Sequence, residues 1–559
     1  MEKRNVKEEV TNVCLKHLGI SSVSEIADWD ARFLNNSFRL DGLESFKEIV
    51  DRFKDKPVWV MGDYDVDGIT STFIMTCGLI EYGCRNVSYR TPKRFSEGFG
   101  MNCNMISEAP EGSLIITVDN GIAALDAVRY AKERGCTVII TDHHEPNEEL
   151  PASDLIIDPV AIADSSDFKG YCGAGIVYKI IRYLIGDEGS SKYLPYAAIA
   201  TVADVMPLRE ENYIFVKRGL AYLPQTTAPG MKALLKKLGL EEHISEGDVG
   251  FKIAPCLNAP GRLYDHGSMI SLSMLFANQK DAYRLAEKVF SANTERKSLV
   301  NSAMEDARQE LRKRKGLSIP TVIRIQKVNE GIIGIVAGRL IDELGVPVIV
   351  LTDSDTENVL KGSARSTEGE NIKKILDNVS PLLDRYGGHA GAAGLSLNEA
   401  NLDKFIKAVE IPVSEEVMKK DSGYDLELTE DELDDALQVI DSFTPFGEGN
   451  RPVIIKVPEF CIVPVRGQYK NLIGTDGVKM FGKDFTAVGF GMAEKMANVS
   501  KPEELSFIGS LSYNYYQGQK KPQIEFSSYE VIKEIDGSTN TTPFFDLLAT
   551  MAQMKNGNG

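Results

Sequence analysis

Cysteine is present but never paired. The eight cysteines, at 14, 77, 84, 103, 136, 172, 256 and 461, include no Cys-x-x-Cys, so neither a zinc cage nor a disulfide framework is indicated, and free thiols in a reducing compartment are expected. No uninterrupted apolar run approaches the ~20 residues that cross a bilayer. The opening Met1-Glu2-Lys3-Arg4 leads into a charged segment without an apolar signal core, so a cytoplasmic location and no membrane role are expected. Basic charge is in deficit: 63 Lys and Arg against 81 Asp and Glu leave a formal charge of -18. That excludes coating of a polyanion by bulk charge, but not a local basic groove, with bound cations cancelling site carboxylates. Histidine is scarce, six residues in all, and there is no internal repeat.

What is there is a length of 559 residues with 43% hydrophobic side chains, enough for roughly three or four domains with their own cores. From Val58 short apolar runs alternate with helical periodicity: residues 58–61, a helix over 69–82, residues 114–118, a helix from Ala123, then residues 138–141. Such alternation predicts a parallel sheet with right-handed crossovers, whose chemistry gathers at the carboxyl ends of the strands. Each predicted strand ends in ligand-type residues. Asp63-Tyr64-Asp65-Val66-Asp67-Gly68 follows the first, Thr117-Val118-Asp119-Asn120-Gly121 closes the second, and Asp142-His143-His144 follows the third. Asp-Asn-Gly alone reads as a turn, and adjacent histidines alone as surface residues; their convergence on one sheet edge reads as a site. Asp204 adds a carboxylate inside the otherwise apolar run of residues 200–208, costly there unless paired or metal-bound.

Three acids within five residues repel one another, and their apolar flanks argue against full solvation, so a cation is the natural partner. The Asp-x-Asp-x-Asp-Gly opening is shared with helix-loop-helix calcium sites. Those require a glutamate at the twelfth position, which here is Ile74, and a helix rather than a strand in front. Four or five carboxylates with a histidine specify hard divalent cations with tolerance for nitrogen, favouring manganese (Mn2+) over calcium and admitting magnesium (Mg2+). Two such ions sharing a carboxylate would activate a water and hold the leaving oxygen of a phosphate ester, so these residues read as a two-metal phosphoesterase.

In their order, the Asp63–Gly68, Val118-Asp119-Asn120-Gly121, Asp142-His143-His144 and Ala203-Asp204-Val205-Met206-Pro207-Leu208 segments resemble the four motifs of the DHH phosphoesterase family. Pro92-Lys93-Arg94-Phe95-Ser96-Glu97-Gly98-Phe99-Gly100, Cys172-Gly173-Ala174-Gly175, Leu257-Asn258-Ala259-Pro260-Gly261-Arg262, Lys361-Gly362-Ser363-Ala364-Arg365-Ser366 and Gly387-Gly388-His389 narrow the resemblance to RecJ-like single-strand DNA exonucleases, over roughly residues 50 to 540. The resemblance implies two divalent cations held by Asp65, Asp67, Asp119, His143 and Asp204, with Asp119 as the bridge. It implies that His144 faces the scissile phosphate as hydrogen-bond donor or general acid, that Arg262 lies near the same phosphate, and that Asp63 orients the ligands from behind. Arg94, Ser363, Arg365 and His389 would contact substrate phosphate, with Arg94, Ser363 and Arg365 forming a pocket for the 5′ terminus.

The implied activity is 5′ to 3′ hydrolysis of single-stranded DNA to nucleoside 5′-monophosphates, in DNA repair or recombination. The implied protein is a monomer whose partners are single-stranded DNA with a 5′ phosphate and, as candidates, a single-strand-binding protein or a helicase. Two alternatives stand beside it. Hydrolases of short RNA or cyclic dinucleotides usually stop after the associated domain, and an inactive single-strand-binding scaffold would not keep ligands at every motif. Two departures are visible: some relatives carry histidine where Met61 stands, which would leave one ion more weakly held, and Trp-His-Pro-Gly is replaced by Val328-Asn329-Glu330-Gly331.

The expected fold class is α/β: a parallel-sheet DHH domain, a smaller α/β DHH-associated domain across a cleft, then an OB-type β-barrel. The expected divisions are a helical segment over 1–49, the DHH domain over 50–220, a helical connector over 221–318, the associated domain over 319–410, an acidic linker and helix over 411–443, the OB domain over 444–535 and a tail over 536–559. Residues 281–315 predict one long helix or a broken pair, ending in Arg312-Lys313-Arg314-Lys315, either a solvated helix end or a DNA contact. Within the acidic stretch 415–435, Thr429-Glu430-Asp431-Glu432 reads as a capping box. The barrel is expected to have five strands, with Tyr469, Phe481, Phe485, Phe490, Tyr513, Tyr515 and Tyr516 divided between its core and base stacking. The tail carries an apolar patch at 543–554, either a docking segment or a frayed end.

Overall fold

The structure, a computed structural model, describes residues 4–161, 164–314, 316–354, 356–367, 369–412, 423–474, 476–516 and 519–535. The predicted tail with its apolar patch, the first part of the acidic stretch and Lys315 lie outside the described residues. Two compact units are formed, one from the described parts of 38–206 and 218–420, the other from those of 1–37, 207–217 and 421–559.

The first unit contains two sheets. In one, five parallel strands, β1 (Pro57–Met61), β2 (Asn86–Arg90), β3 (Leu114–Val118), β4 (Thr137–Thr141) and β5 (Leu155–Ile157), run in the order β2-β1-β3-β4-β5. The central strands are the continuous apolar runs seen in the sequence, buried on both faces as a parallel sheet requires. Met61, Ile115, Val138 and Ile140 pack on one side against Met105, Ile106 and Val128. The Val66–Tyr82 and Gly173–Ser190 helices contact the same sheet. The edge strand β2 is half exposed and carries no apolar run, and β5, Leu155-Ile156-Ile157, is only three residues long, which is why the sequence pattern passes over them. The first helix begins at Val66 rather than Ile69 because Asp65 caps it, accepting from the Gly68 N–H at 3.1 Å.

Residues beyond the first sheet are mostly helical and end in one unbroken Ala282–Arg312 helix. Its basic end is tied to protein partners: Arg314 pairs with Glu410 at 2.6 Å and donates to the Val322 carbonyl, and Lys313 pairs with Glu310 at 2.6 Å. A short pair, β6 (Ser318–Ile319) with β12 (Ile411–Pro412), brackets the second sheet. That sheet comprises β7 (Thr321–Arg324), β8 (Val348–Asp353), β9 (Val359–Arg365), β10 (Arg385–Gly388) and β11 (Ala392–Asn398), in the order β10-β11-β9-β8-β7, with only the β7/β8 pairing parallel. The Glu330–Leu344 helix covers one face through Ile332, Ile333, Val336 and Leu340. Ile372, Leu376 and Phe405 cover the other. Burial alternates along β9, which puts Lys361, Ser363 and Arg365 on one face.

The second unit is built on a seven-stranded sheet rather than the expected five. Its strands are β13 (Leu426–Glu427), β14 (Ile454–Cys461), β15 (Asn471–Ile473), β16 (Gly477–Phe481), β17 (Thr486–Gly489), β18 (Pro502–Tyr516) and β19 (Gln519–Glu534), in the order β13-β14-β18-β19-β17-β16-β15. β13 and β15, two and three residues long, are too short to show a period of two. Phe460, Phe507, Phe526 and Phe485 form its core, with Phe507 and Phe526 stacked 4.5 Å apart. The helix Leu433–Ser442, expected as part of a linker, contacts β18 and the N-terminal helix Val6–Leu18 instead. Its capping box is present, with the Thr429 N–H donating to Glu432 at 2.9 Å.

Candidate active site

β1, β3 and β4 lie side by side, and the residues that follow each strand meet at one edge of the sheet. Ligand atoms of Asp63, Asp65 and Asp119 lie within 4.8 Å of one another, as do those of Asp67, His143 and Asp204, and those of Asp119, His143 and His144. His143 Nε2 stands 3.1 Å from Asp119 Oδ1 and 3.6 Å from both Asp67 Oδ2 and Asp204 Oδ2. Asp119 adopts a left-handed backbone with φ 62°, a costly geometry for a residue with a Cβ, held by its N–H bond to the Thr141 carbonyl at 3.0 Å. Asp67, on the first turn of its helix, accepts from the Gly173 and Ala174 N–H groups at 2.6 and 2.7 Å, so the start of the Gly173–Ser190 helix stabilises its charge. A Cβ at Gly173 would lie 2.6 Å from that of Asp119, which explains the glycine in Cys172-Gly173-Ala174-Gly175.

Burial first, and then mutual repulsion, raises the carboxyl groups of Asp63, Asp65 and Asp119 above their ordinary values. Asp204 is pushed up to about 8 by burial and by the charges of Asp67 and Asp65. Burial likewise holds the His143 imidazole below its ordinary value. Asp63 was expected to orient ligands from behind, yet it groups with Asp65 and Asp119. Its Oδ1 accepts from the Gly100 N–H at 3.2 Å, while Oδ2 is buried with no hydrogen-bond partner among the described residues. An orphaned oxygen among acids that repel it is a place for a cation, and oxygen donors with one imidazole suit hard divalent ions such as Mn2+ and Mg2+. The residues present therefore fit the implied metal. Met61 is fully buried in the apolar cluster beneath the site, so packing takes the place that a histidine has in some relatives.

His144 lies beside His143, and its Nδ1 is 2.7 Å from Asp142 Oδ1. Burial works against its cation, but the hydrogen bond to Asp142 and that residue's charge outweigh burial and push it up to about 9. Asp142 was named in the sequence with the two histidines but given no role of its own. The available signal was an acid placed directly between a buried strand and two histidines.

A second charge cluster, of opposite sign, gathers Arg94, Arg262 and Arg365 from a loop, a helix end and β9. The Arg94 guanidinium lies over the Tyr64 ring at 4.4 Å. Arg262 donates to the Gly331 carbonyl at 3.3 Å, and Arg365 donates to Ser363 Oγ at 3.0 Å and to the Ala364 carbonyl at 2.9 Å. Burial, and then the charges of Arg94, Arg296 and Arg365, push Arg262 down to about 9; burial and Arg94 lower Arg365. Cations crowded this way call for an anion. His389 sits at the exposed turn between β10 and β11, its N–H bonded to the Ala392 carbonyl at 2.8 Å. At the second departure, Asn329 caps the Glu330–Leu344 helix, accepting from the Gly331 N–H at 2.8 Å and reaching the Leu263 carbonyl at 3.5 Å. Gly331 is so close to the Arg262 carbonyl that a Cβ would lie 2.0 Å from its oxygen. Among the described residues no helix is long and apolar enough to cross a membrane.

Three family models match the chain: the DHH family N-terminal domain over 57–204, the DHHA1 domain over 319–415 and the RecJ OB domain over 424–528. The chain is 33% identical over 499 residues to the single-stranded-DNA-specific exonuclease RecJ of Bacillus subtilis (strain 168), covering 86% of this chain and 63% of that protein. It is 30% identical over 508 residues to the protein of the same name from Haemophilus influenzae, covering 85% of this chain and 88% of that one. The crystal structure of RecJ in complex with Mn2+ from Thermus thermophilus superposes with a TM-score of 0.71 at 25% identity, over 90% of this chain and 73% of that chain. A DHH domain, a DHHA1 domain and an OB domain in succession, with the acid and histidine cluster on the first, define a DHH-family protein. Within that class the chain belongs to the RecJ family of single-stranded-DNA-specific exonucleases. Its match spans less than two thirds of the Bacillus subtilis relative's length.

Proposed function

We propose that this chain is a metal-dependent exonuclease that hydrolyses single-stranded DNA from the 5′ end to nucleoside 5′-monophosphates, in DNA repair or recombination, acting on strands with a 5′ phosphate. The observation that carries this reading is the pair of buried, oppositely charged clusters in one compact unit: Asp63, Asp65, Asp67, Asp119, His143 and Asp204 on one hand, Arg94, Arg262 and Arg365 on the other. Held there, divalent cations, Mn2+ favoured and Mg2+ admitted, would supply the charge that activates a water and steadies a leaving oxygen. Asp65, Asp67, Asp119, His143 and Asp204 would hold those ions, with Asp119 as the shared ligand.

His144 commits its Nδ1 proton to Asp142 and keeps Nε2 to hold or pass a proton at the scissile phosphate. Arg262 offsets charge on that phosphate, while Arg94, Ser363 and Arg365 grip the 5′-terminal one through paired hydrogen bonds. A terminus held at a fixed distance from the carboxylates makes the protein count from the 5′ end. Digestion of 5′-labelled and 3′-labelled oligonucleotides with Mn2+ tests this. Release of the 5′ label as a mononucleotide, abolished by chelator, is expected; release of the 3′ label first would reverse the assigned polarity.

A further inference from the structure

The loop that carries Arg94 is pinned at several points. Glu97 accepts from Arg90 at 3.0 and 2.8 Å and from the Lys93 N–H at 2.8 Å, and the Gly100 N–H reaches Asp63. These bonds tie the two ends of the loop to its own sheet. Residues 94–96 are held from elsewhere. The Arg94 N–H donates to the Asp265 carbonyl at 2.8 Å; Asp265 Oδ1 accepts from the Phe95 and Ser96 N–H groups at 2.8 and 3.0 Å; and Oδ2 accepts from Ser96 Oγ at 2.6 Å. One residue thus takes four hydrogen bonds from three consecutive residues, three of them on an ionised group, the stronger kind.

Asp265 lies three positions after Arg262, just past the end of the Ala254–Leu263 helix. A cavity of about 590 Å³ adjoins the clamp, lined among others by Phe95, Ser96, Leu263, Asp265, Asn329 and Glu330. On that side side-chain packing does not fix the loop, and the hydrogen bonds do. We propose that Asp265 is a positioning residue: it ties Arg94 at a fixed offset to Arg262 and so sets the spacing between the terminal and scissile phosphates. This rests on the reading of Arg94 as a ligand of the 5′ phosphate, and it adds the element that makes the step one nucleotide.

The test measures kcat and KM of the full chain with Mn2+ on 5′-phosphorylated and 5′-hydroxyl strands, together with product lengths and melting temperature. Asp265→Ala is expected to reduce the preference for 5′-phosphorylated strands by about ten-fold or more, with the loss in KM rather than kcat, and to release dinucleotides beside mononucleotides. Asp265→Asn keeps an oxygen for the two amides and an N–H for Ser96 Oγ, and is expected to restore most of the preference. Retention of the preference by Asp265→Ala, or an equal fall of kcat on both strands, overturns the proposal. Should Asp265→Ala lose its cooperative melting, Ser96→Ala decides: a loss of about two-fold or more in preference supports the clamp, and an unchanged preference overturns it. A wild type that ignores the 5′ phosphate instead fails the reading of Arg94, a result separable from any variant's behaviour.

Discussion

Asp142 Oδ1 accepts from Nδ1 of His144 at 2.7 Å, and the same carboxylate accepts the His143 N–H at 2.8 Å and, through Oδ2, the Ile122 N–H at 2.9 Å. A carboxylate can only accept, so the ring proton sits on Nδ1 and the imidazole's orientation is fixed by an acid outside the ligand cluster. Asp142→Asn should keep the shape and loosen that orientation. A fall of about 10–100-fold in turnover is expected, the range for partners behind metal-site residues, with single-strand binding retained in a filter assay. A change of less than about two-fold would show that His144 is aligned by something else.

Asp119 is the residue on which the acid cluster converges. If Asp119 is the shared ligand, Asp119→Ala should leave almost no turnover while single-strand binding survives. More than about a tenth of wild-type activity, a loss under ~1.4 kcal/mol of transition-state stabilisation, would deny it the bridging role.

Arg365 reaches the arginine cluster from β9. Arg365→Ala should weaken the preference for 5′-phosphorylated over 5′-hydroxyl strands by about 1.5–3 kcal/mol, as for a hydrogen bond to a charged group. Competition kinetics with both strands in one reaction give the ratio directly, and an unaltered ratio would make Arg365 a structural residue.

How far the sequence anticipated this structure follows from burial and from distance along the chain. β1, β3 and β4 were legible because a strand buried on both faces is an unbroken apolar run, and the acids at their ends stand out against it. β2 exposes alternate residues and β5 is only three residues long, so neither left a readable pattern. The contact of the Leu433–Ser442 helix with the Val6–Leu18 helix joins segments more than 400 residues apart, and no local period encodes such a pairing. No local period encodes the arginine cluster either: its members were named only through the family resemblance, and the tertiary fold brings the three elements together. Asp265 was missed, and Asp142 was named without its role, for a different reason: each acts through hydrogen bonds to other residues, and an acid that accepts backbone N–H groups looks in sequence like any other.

Lys470 provides a pH dependence remote from the chemistry. It is buried in the second unit, donating to the Met496 and Val499 carbonyls, and burial lowers it from 10.5 to about 8. Between those two values the unfolded chain binds the proton more readily than the folded one, so this group's contribution to stability rises as pH climbs from about 8 towards 10.5 and is lost again on going back down. The urea midpoint of the wild type should rise relative to that of Lys470→Met as pH climbs across that window. A difference between them that is independent of pH would assign Lys470 an ordinary value.

The aromatics of the second unit divide by exposure. Phe507→Ala should cost about 3–5 kcal/mol of stability, because it empties a core position. Phe490 is 66% exposed, and Phe490→Ala should leave melting unchanged while weakening binding of long strands by about 1–3 kcal/mol if a base stacks there. Equal KM values on long strands for this variant and the wild type would remove Phe490 from the strand's path.

Gly331 meets the Arg262 carbonyl with no room for even a methyl group. Backbone resting on backbone cannot be relieved by a change of rotamer, so any larger residue here would push the start of the Glu330–Leu344 helix away from the end of the Ala254–Leu263 helix. The same two residues meet a second time, since the Arg262 guanidinium donates to the Gly331 carbonyl at 3.3 Å. A side chain added at residue 331 would therefore disturb the placement of the Arg262 guanidinium as well as the seat of the helix.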